Sequence, residues 1–113
     1  MILTEEDLKI LRLFCKIVEG ESPTIWELMK KVYPDGKVRE HDRIERRIKK
    51  LKQYHLINLN KEIYKINENK IVEKRTWELD TSKVTLKRFK FPGNSMAEAI
   101  CIKHEGKWQI VEM

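Results

Sequence analysis

Residues 42–57 read DRIERRIKKLKQYHLI, and this stretch decides how the rest of the chain is interpreted. Ile44, Ile48 and Leu51 recur at spacings of four and three residues, which predicts a helix with one narrow buried stripe. Asp42 can cap the N-terminus of this helix, with Glu45 three residues later as its capping partner. We therefore expect the helix to begin at Asp42 and to end near Tyr54-His55, with nearly all of its remaining side chains charged.

The positive charge of the chain is concentrated around this helix. The 113 residues carry 24 basic and 18 acidic groups, a net charge of +6. Residues 38–61 alone carry eight basic and three acidic groups, a net charge of +5. A local excess of this kind attracts polyanions. The alternative is a solvated helix face of the kind common on thermophile surfaces, whose basic groups pair with nearby acids: Glu19, Glu21, Glu40 and Glu45.

Two further helices are predicted upstream. Thr4 can cap the first, and its apolar stripe, which includes Cys15 as a small core residue, runs to Val18 before a stop at Gly20. The second opens on the capping box Thr24–Glu27 and is broken by Pro34-Asp35-Gly36. Residues 37–41 are expected to belong to a long connection.

After Ile57 the apolar period changes from 3.6 residues toward two, which predicts strands. Two short strands, 57–59 and 63–66, are expected around a turn at 60–62. A longer hairpin is expected to pair 71–79 with 84–91, followed by a turn at Pro92-Gly93-Asn94.

The last segment allows two interpretations. A hairpin of 97–104 with 108–111 is favoured, because Ile100, Cys101 and Ile102 suit a strand. The alternative is a helix over 96–105, because Ser95-Met96-Ala97-Glu98 also fits a capping box and Gly106 could end it.

Three helices followed by a hairpin, with the third helix basic, resemble a winged helix-turn-helix DNA-binding domain of small prokaryotic or archaeal regulators. The resemblance covers about residues 4–67: residues 42–57 resemble the recognition helix and its exit, Thr24–Leu28 the start of the preceding helix, and Ile63–Ile66 the second wing strand. It implies an α+β fold, with a winged helix-turn-helix domain at 1–67 and a C-terminal antiparallel β extension at 68–113 packed on it as one compact unit. His55 stands where the family prefers a left-handed Gly, so a structural role is expected for it.

The resemblance implies a sequence-specific, double-stranded DNA-binding protein that regulates transcription. The helix over 42–54 would then lie in the major groove. Arg43 and Arg46 would read bases, while Arg47 and Lys50 would hold phosphates, as Arg pairs bidentately with guanine. Lys49 would contact DNA or remain a solvated surface lysine. Lys61, at the expected wing tip, would reach a neighbouring phosphate or the minor groove.

Three acidic residues, Glu40, Asp42 and Glu45, lie at or near the end of the helix that would meet DNA. Phosphate repels carboxylates, although a carboxylate can accept a hydrogen bond from cytosine. The alternatives are therefore a winged-helix adaptor that binds protein through the same surface, or an RNA-binding module. If these acids divide the basic face of the helix, the protein-binding adaptor is favoured. If the basic residues form one uninterrupted face with Lys61, DNA binding is favoured.

The β extension exceeds what the minimal domain needs, and a homodimer through this region is its expected use, because helix-turn-helix readers bind paired half-sites. Trp26 is expected to pack on the third helix or on residues 34–41, which we expect to be an insertion beside that helix. Trp77 and Trp108 are expected to lie in a sheet core or a self-association face. A basic cluster on the strand 84–91, formed by Lys87, Arg88 and Lys90, is expected to guard an edge strand rather than to form a second nucleic-acid site.

No enzyme chemistry is predicted. The three histidines, His41, His55 and His104, are isolated, and no metal-ligand spacing, Gly-rich phosphate loop or Ser-His-Asp set is present in the sequence. We therefore expect no cofactor, no metal and no small-molecule substrate. No apolar run approaches a membrane span and no signal-peptide pattern opens the chain, so a cytoplasmic protein is expected.

Overall fold

The fold is α+β, with three helices followed by five strands in the described part of the chain. This computed structural model describes residues 1–17, 21–93 and 95–112. The helices are α1 (Glu5–Cys15), α2 (Ile25–Val32) and α3 (Val38–Gln53). The strands are β1 (Ile57–Asn67), β2 (Lys70–Leu79), β3 (Val84–Lys90), β4 (Met96–His104) and β5 (Lys107–Glu112). They form two antiparallel sheets, β1-β2 and β3-β4-β5.

The first two helices begin where the sequence predicts. At α1, Thr4 Oγ1 accepts a hydrogen bond from the Asp7 N–H at 3.2 Å, and Asp7 Oδ2 accepts one from the Thr4 N–H at 2.8 Å. Thr24 and Glu27 form the same reciprocal capping box at α2. Each box satisfies backbone donors that the first helical turn leaves unpaired. The predicted stop at Gly20, together with Val18, lies outside the described residues.

The predicted start of α3 at Asp42 is wrong, because the helix begins one turn earlier at Val38. Glu40 accepts a hydrogen bond from the Lys37 N–H at 2.9 Å and so closes the first turn in place of Glu45. The long connection shrinks to the turn between α2 and α3, where the Gly36 N–H donates to the Tyr33 carbonyl at 2.9 Å. The end of α3 is close to the prediction, and His55 is left-handed as expected, with φ of 61°.

The predicted strand pairing around residue 61 is wrong. β1 is one continuous strand, and its hairpin turn lies at Glu68-Asn69, where φ is 51° and 64°. β1 pairs with β2 along its length, so residues 71–79 do not pair with 84–91. A register shift between Leu59 and Lys61 lets the polar Asn60 leave the ladder without ending the strand. The polar run 60–62 is therefore a bulge and not a wing tip.

The second sheet confirms the favoured interpretation of the C-terminal segment. β4 is the central strand, and residues 99–102 are buried along it, so the alternative helix over 96–105 is wrong. β4 and β5 meet at a turn in which Glu105 and Gly106 are left-handed, with φ of 52° and 76°. β3 pairs with β4 across the predicted turn at Pro92-Gly93, whose third residue, Asn94, lies outside the described residues. β3 is an edge strand, as expected from its basic residues.

The two halves of the chain share one hydrophobic core around α1. Its buried residues come from all three helices and both sheets, including Ile10, Leu11, Phe14, Leu28, Ile44, Ile48, Leu51, Trp77, Val84, Ile100 and Ile102. The domain boundary expected after residue 67 falls at the turn between β1 and β2. Backbone hydrogen bonds also connect these segments: the Trp77 N–H donates to the Pro23 carbonyl at 3.0 Å, and the Asp80 N–H donates to the Leu56 carbonyl at 2.9 Å.

Trp26 packs on α3, as the sequence predicts. Its ring stacks on His41 with the centroids 4.4 Å apart. Trp77 is buried in β2, whereas Trp108 on β5 is 41% exposed. Within the described residues, none of the helices combines the length and the apolar character needed to cross a membrane.

Candidate nucleic-acid interface

One side of α3 carries an uninterrupted row of basic residues. Since an α-helix turns by about 100° per residue, the positions of Arg39, Arg43, Arg46, Arg47 and Lys50 fall within an arc of roughly 100°. The buried stripe of Ile44, Ile48 and Leu51 lies outside this arc and holds α3 against the core. Four of the five basic residues line a single surface depression, and we call these four the α3 basic cluster: Arg43, Arg46, Arg47 and Lys50.

The three acids of α3 do not divide the α3 basic cluster. Asp42 and Glu45 project from the other flank, where Asp42 Oδ1 lies 3.2 Å from His41 Nδ1 and Glu45 lies 3.3 Å from Lys49 Nζ. Glu40 is turned toward the helix start and holds the Lys37 N–H. That backbone hydrogen bond lowers the pKa of Glu40. The acids therefore border the α3 basic cluster and leave its centre cationic.

Two carboxylates of α1, those of Glu6 and Asp7, contact the α3 basic cluster. Glu6 Oε1 accepts hydrogen bonds from Arg43 Nε at 3.1 Å and from Arg47 Nε at 3.2 Å, and Tyr33 donates its hydroxyl to Oε2 at 2.6 Å. Asp7 Oδ2 accepts from Lys50 Nζ at 2.6 Å. The same Asp7 oxygen also accepts the capping hydrogen bond at the start of α1. The first turn of α1 thus anchors three of the four basic side chains.

The acidic side chains of α1 are less exposed to solvent than the basic side chains that cover them. The Glu6 side chain is 13% exposed and the Asp7 side chain is fully buried, whereas Arg43 is 54% exposed. Burial raises the pKa of both carboxyls, but hydrogen bonds from Tyr33, Arg43 and Arg47 to Glu6, and from Lys50 and Thr4 to Asp7, outweigh it. Both pKa values are consequently lowered, so both groups are anionic at neutral pH.

Arg46 differs from the other members of the cluster. It is exposed, and it forms no ion pair with any other residue that the structure describes. Arg43 and Arg47 meet Glu6 through Nε, the inner nitrogen of the guanidinium. A guanidinium has five N–H donors in a fixed fork, so a side-on contact at Nε leaves terminal Nη donors for a second partner.

Two of the six residues predicted to contact DNA lie apart from the α3 basic cluster. Lys49 occupies the opposite flank of α3 in its pair with Glu45. Lys61 is exposed within the β1 strand, paired in register with Thr76, and so is not at the hairpin tip. The predicted pairing of α3 with neighbouring acids occurs at Lys49, but the α3 basic cluster pairs with Glu6 and Asp7 instead.

Sequence reasoning missed Arg39 and the two acids of α1. Arg39 was assigned to a connection, although its spacing of four from Arg43 continues the basic row by one helical turn. Glu6 and Asp7 lie in the first turn of α1, where the helix dipole already favours acidic side chains. Their second role depends on how α1 crosses α3, for which the sequence carries no direct signal.

A groove separates α3 from the β1-β2 hairpin on the other flank. Ile25, Leu59 and Trp77 contribute apolar surface, and charged side chains such as Lys52 and Arg75 border them. Lys52 Nζ lies 5.8 Å from the centroid of the Trp77 ring. Arg75 pairs with Glu62 across the hairpin at 3.1 Å. This groove carries both signs of charge, in contrast to the α3 basic cluster.

Among the described residues, no three His, Cys, Asp or Glu side chains are arranged to hold a metal ion. Cys101 is buried in β4, and burial raises the pKa of the half-buried Cys15.

No family model, curated protein or solved structure matches this chain.

Proposed function

We propose that this chain is a sequence-specific, double-stranded DNA-binding protein of the winged-helix type that regulates transcription. The observation that carries the proposal is the α3 basic cluster itself: four cationic side chains share one depression on α3, and the acids of that helix lie outside it. An α-helix such as α3 fits the major groove of B-form DNA. The deep, narrow major groove of A-form RNA does not admit it, which favours DNA over RNA.

The order of elements supports the winged-helix type. The hairpin β1-β2 follows α3 directly, and the segment before α2 docks on β2 through the bond between Trp77 and Pro23. The molecule extends to 60 × 32 × 26 Å, and β1 contains 11 residues, so the hairpin is a long arm. Such an arm would follow the duplex beside the site read by α3, with Lys61 and Lys74 as phosphate contacts.

The contacts of the α3 basic cluster indicate different roles in DNA binding for its members. Arg47 and Lys50 are held in place by α1 and suit phosphate contacts, which position a protein without reading sequence. Arg46 is unanchored and exposed, and it suits bidentate pairing with guanine. Arg43 is anchored through Nε yet 54% exposed, so it can still present its terminal nitrogens to a base edge.

The experiment is a titration of a labelled generic duplex, followed by fluorescence anisotropy over a salt series. About three to five phosphate contacts predict a slope of log K against log salt of roughly −2.7 to −4.5. Arg47→Ala should lower the slope by about one unit and weaken binding to all sequences alike. Arg88→Ala, which removes an exposed arginine of β3, is the matched control and should change little.

Selection from a randomised duplex library separates base reading from phosphate contact. Arg46→Ala should relax the preference at one base pair, at a cost of about 1 to 3 kcal/mol for the preferred base. Arg47→Ala should leave the selected sequence unchanged. If the unmodified protein binds no duplex even at low salt, the DNA-binding proposal fails and a protein partner for the α3 basic cluster becomes the next hypothesis.

We also propose that a second copy of the chain covers the outer face of the sheet β3-β4-β5. Strand register places Thr85, Cys101 and Ile110 side by side on this face, with Trp108 beside Lys103. Ile110 is 52% exposed, although it neighbours the buried centre of β4. On β4 the small residues Ala99 and Cys101 are themselves buried, and Lys87 Nζ of β3 lies 5.7 Å from the centroid of the Trp108 ring, while Trp108 and Ile110 of β5 stay exposed. Trp108 and Ile110 of one copy can pack against the same two residues of the other, as a two-fold interface requires.

The size of this face predicts a weak dimer. Three strands about 4.8 Å apart and about six residues long give a footprint of roughly 300 Å². A stable interface takes about 800 Å² from each partner. Two copies bound to neighbouring half-sites would be held at a high effective concentration, which compensates for the small area.

A further inference from the structure

We infer that Glu6 of α1 is a positioning residue for nucleic-acid binding, which it promotes by holding Arg43 and Arg47 in their binding orientation. The inference rests on the proposed DNA-binding function and deepens it. Removal of this negative charge is therefore expected to weaken DNA binding, although a simple count of charges predicts the opposite. Three properties of the molecule carry the inference: the contact atoms, the rigidity of the carboxylate and the entropy of the arginines.

The atoms in contact leave the arginines free to bind. Glu6 meets both arginines at Nε, at 3.1 Å and 3.2 Å. A carboxylate that competed with DNA would occupy the terminal Nη groups, which form the end of the fork that phosphate and guanine use. Contact at Nε sets the orientation of the guanidinium plane and leaves the terminal nitrogens of Arg43 available to a ligand. Arg47 Nη1 also lies 3.9 Å from Asp7 Oδ1, so Arg47 offers its other terminal nitrogen, Nη2.

The carboxylate of Glu6 is itself held rigidly. Tyr33 donates its hydroxyl to Glu6 at 2.6 Å, and Glu6 belongs to the first turn of α1, whose cap is fixed by Thr4 and Asp7. The pKa of Tyr33 is raised, chiefly by this hydrogen bond to Glu6, so the phenol remains the proton donor at neutral pH. The carboxylate is thus held by Tyr33 and by its place in the capped first turn as well as by the arginines, and it offers them a fixed anchor.

The arginines lose entropy when they bind. A long side chain loses rotamer freedom when it binds a ligand, and Glu6 places two such side chains before the ligand arrives. Part of the entropic cost is then met by folding rather than by binding. Release of both arginines should therefore weaken binding by about threefold to tenfold.

The test compares Glu6→Gln with Glu5→Gln in the full-length chain. Both substitutions remove one negative charge from the first turn of α1, but Glu5 is exposed and forms no ion pair with the described residues of α3. Anisotropy with a labelled generic duplex at fixed salt should show Glu6→Gln binding about threefold to tenfold more weakly than the unmodified chain. Glu5→Gln should bind equally well or slightly more tightly. Thermal unfolding of each variant confirms that the proteins compared are folded.

A double-substitution cycle identifies the route of the effect. If Glu6 acts through Arg43 and Arg47, its substitution should have no further effect on affinity once both arginines are replaced by Ala. A purely structural effect on α1 would persist in that background and would overturn the inference. Glu6→Gln that binds as tightly as Glu5→Gln, or more tightly, would also overturn it, while the DNA-binding proposal would stand. If the unmodified chain binds no duplex, both fail.

Discussion

Substitution of Asp7 by Asn should cost this protein a large share of its stability, because one carboxylate does two structural tasks. Asp7 is fully buried, caps the Thr4 N–H at 2.8 Å and accepts from Lys50 Nζ at 2.6 Å. An Asn side chain keeps an oxygen for the cap but loses the charge that holds Lys50. The substitution therefore isolates the contribution of the Asp7 charge, which pairs with Lys50 and also lies 3.9 Å from Arg47 Nη1.

The expected loss is about 2 kcal/mol. A hydrogen bond between charged groups contributes roughly 1.5 to 3 kcal/mol, and loss of one partner from a fully buried ion pair costs roughly 3 to 5 kcal/mol. Lys50 is 27% exposed and can regain water once its partner is neutral, which places the loss near the lower range. For a domain of this size, about 2 kcal/mol lowers the melting temperature by roughly 8 °C.

Urea denaturation at pH 7 and at pH 3 checks this prediction. Because the pKa of Asp7 is lowered on folding, its charge stabilises the protein above the unfolded pKa of about 4, and this contribution is lost as the pH falls through the folded pKa. The stability difference between Asp7→Asn and the unmodified protein should therefore be full at pH 7 and smaller at pH 3. Glu5→Gln is the control and should change stability by less than about 0.5 kcal/mol. An equal loss in both variants, or a loss that does not depend on pH, would refute the reasoning.

Two further predictions concern the self-association face and the exit of α3. Ile110→Glu should abolish dimerisation, because it places a charge on the apolar face; the measurement is sedimentation equilibrium between about 10 μM and 1 mM. The control is Val38→Glu, at an exposed apolar residue of α3, which should leave dimerisation unchanged. An unmodified chain that stays monomeric at about 1 mM would argue against the dimer. His55→Gly should raise the free energy of unfolding by about 0.5 to 1 kcal/mol in urea titrations, because φ of 61° strains a residue with a side chain; a loss of stability would show that the His55 side chain makes a stabilising contact.

The parts of the fold that depend on neighbours in sequence could be predicted. Thr4 and Thr24 mark the starts of α1 and α2, because a capping box closes within four residues. The left-handed conformation of His55 was expected from the family resemblance alone, which places a left-handed Gly at this position. Val38 was missed as the start of α3, since Glu40 and Glu45 offer competing capping partners and only packing decides between them.

Strand pairing could not be predicted in the same way. The chain from Ile57 to Leu79 contains two polar breaks, at 60–62 and at 68–69, and either could form the turn of a hairpin. The structure uses the second, where Asn69 tolerates positive φ, and absorbs the first as a bulge beside the hydrogen bond from Asn60 to Ser22. Ser22 lies 38 residues away in sequence, so its influence on the register has no local signature.

The candidate site was predictable on α3 and not beyond it. Helical spacing alone brings Arg43, Arg46, Arg47 and Lys50 onto one face, and their side chains do share one depression. Their anchors, Glu6 and Asp7, lie 37 to 43 residues away in sequence and meet them only through the crossing of α1 and α3.

The single hydrophobic core around α1 has a consequence for synthesis. Ile10, Leu11 and Phe14 of α1 share a cluster with Val84, Ile100 and Ile102 of the second sheet. A ribosome that adds about 5 to 20 residues per second needs roughly five to twenty seconds to reach Ile102 after Phe14 has been made. For that time the apolar side of α1 lacks its final cover. A nascent chain stalled before β4 should therefore be a good substrate for chaperones that hold exposed apolar segments.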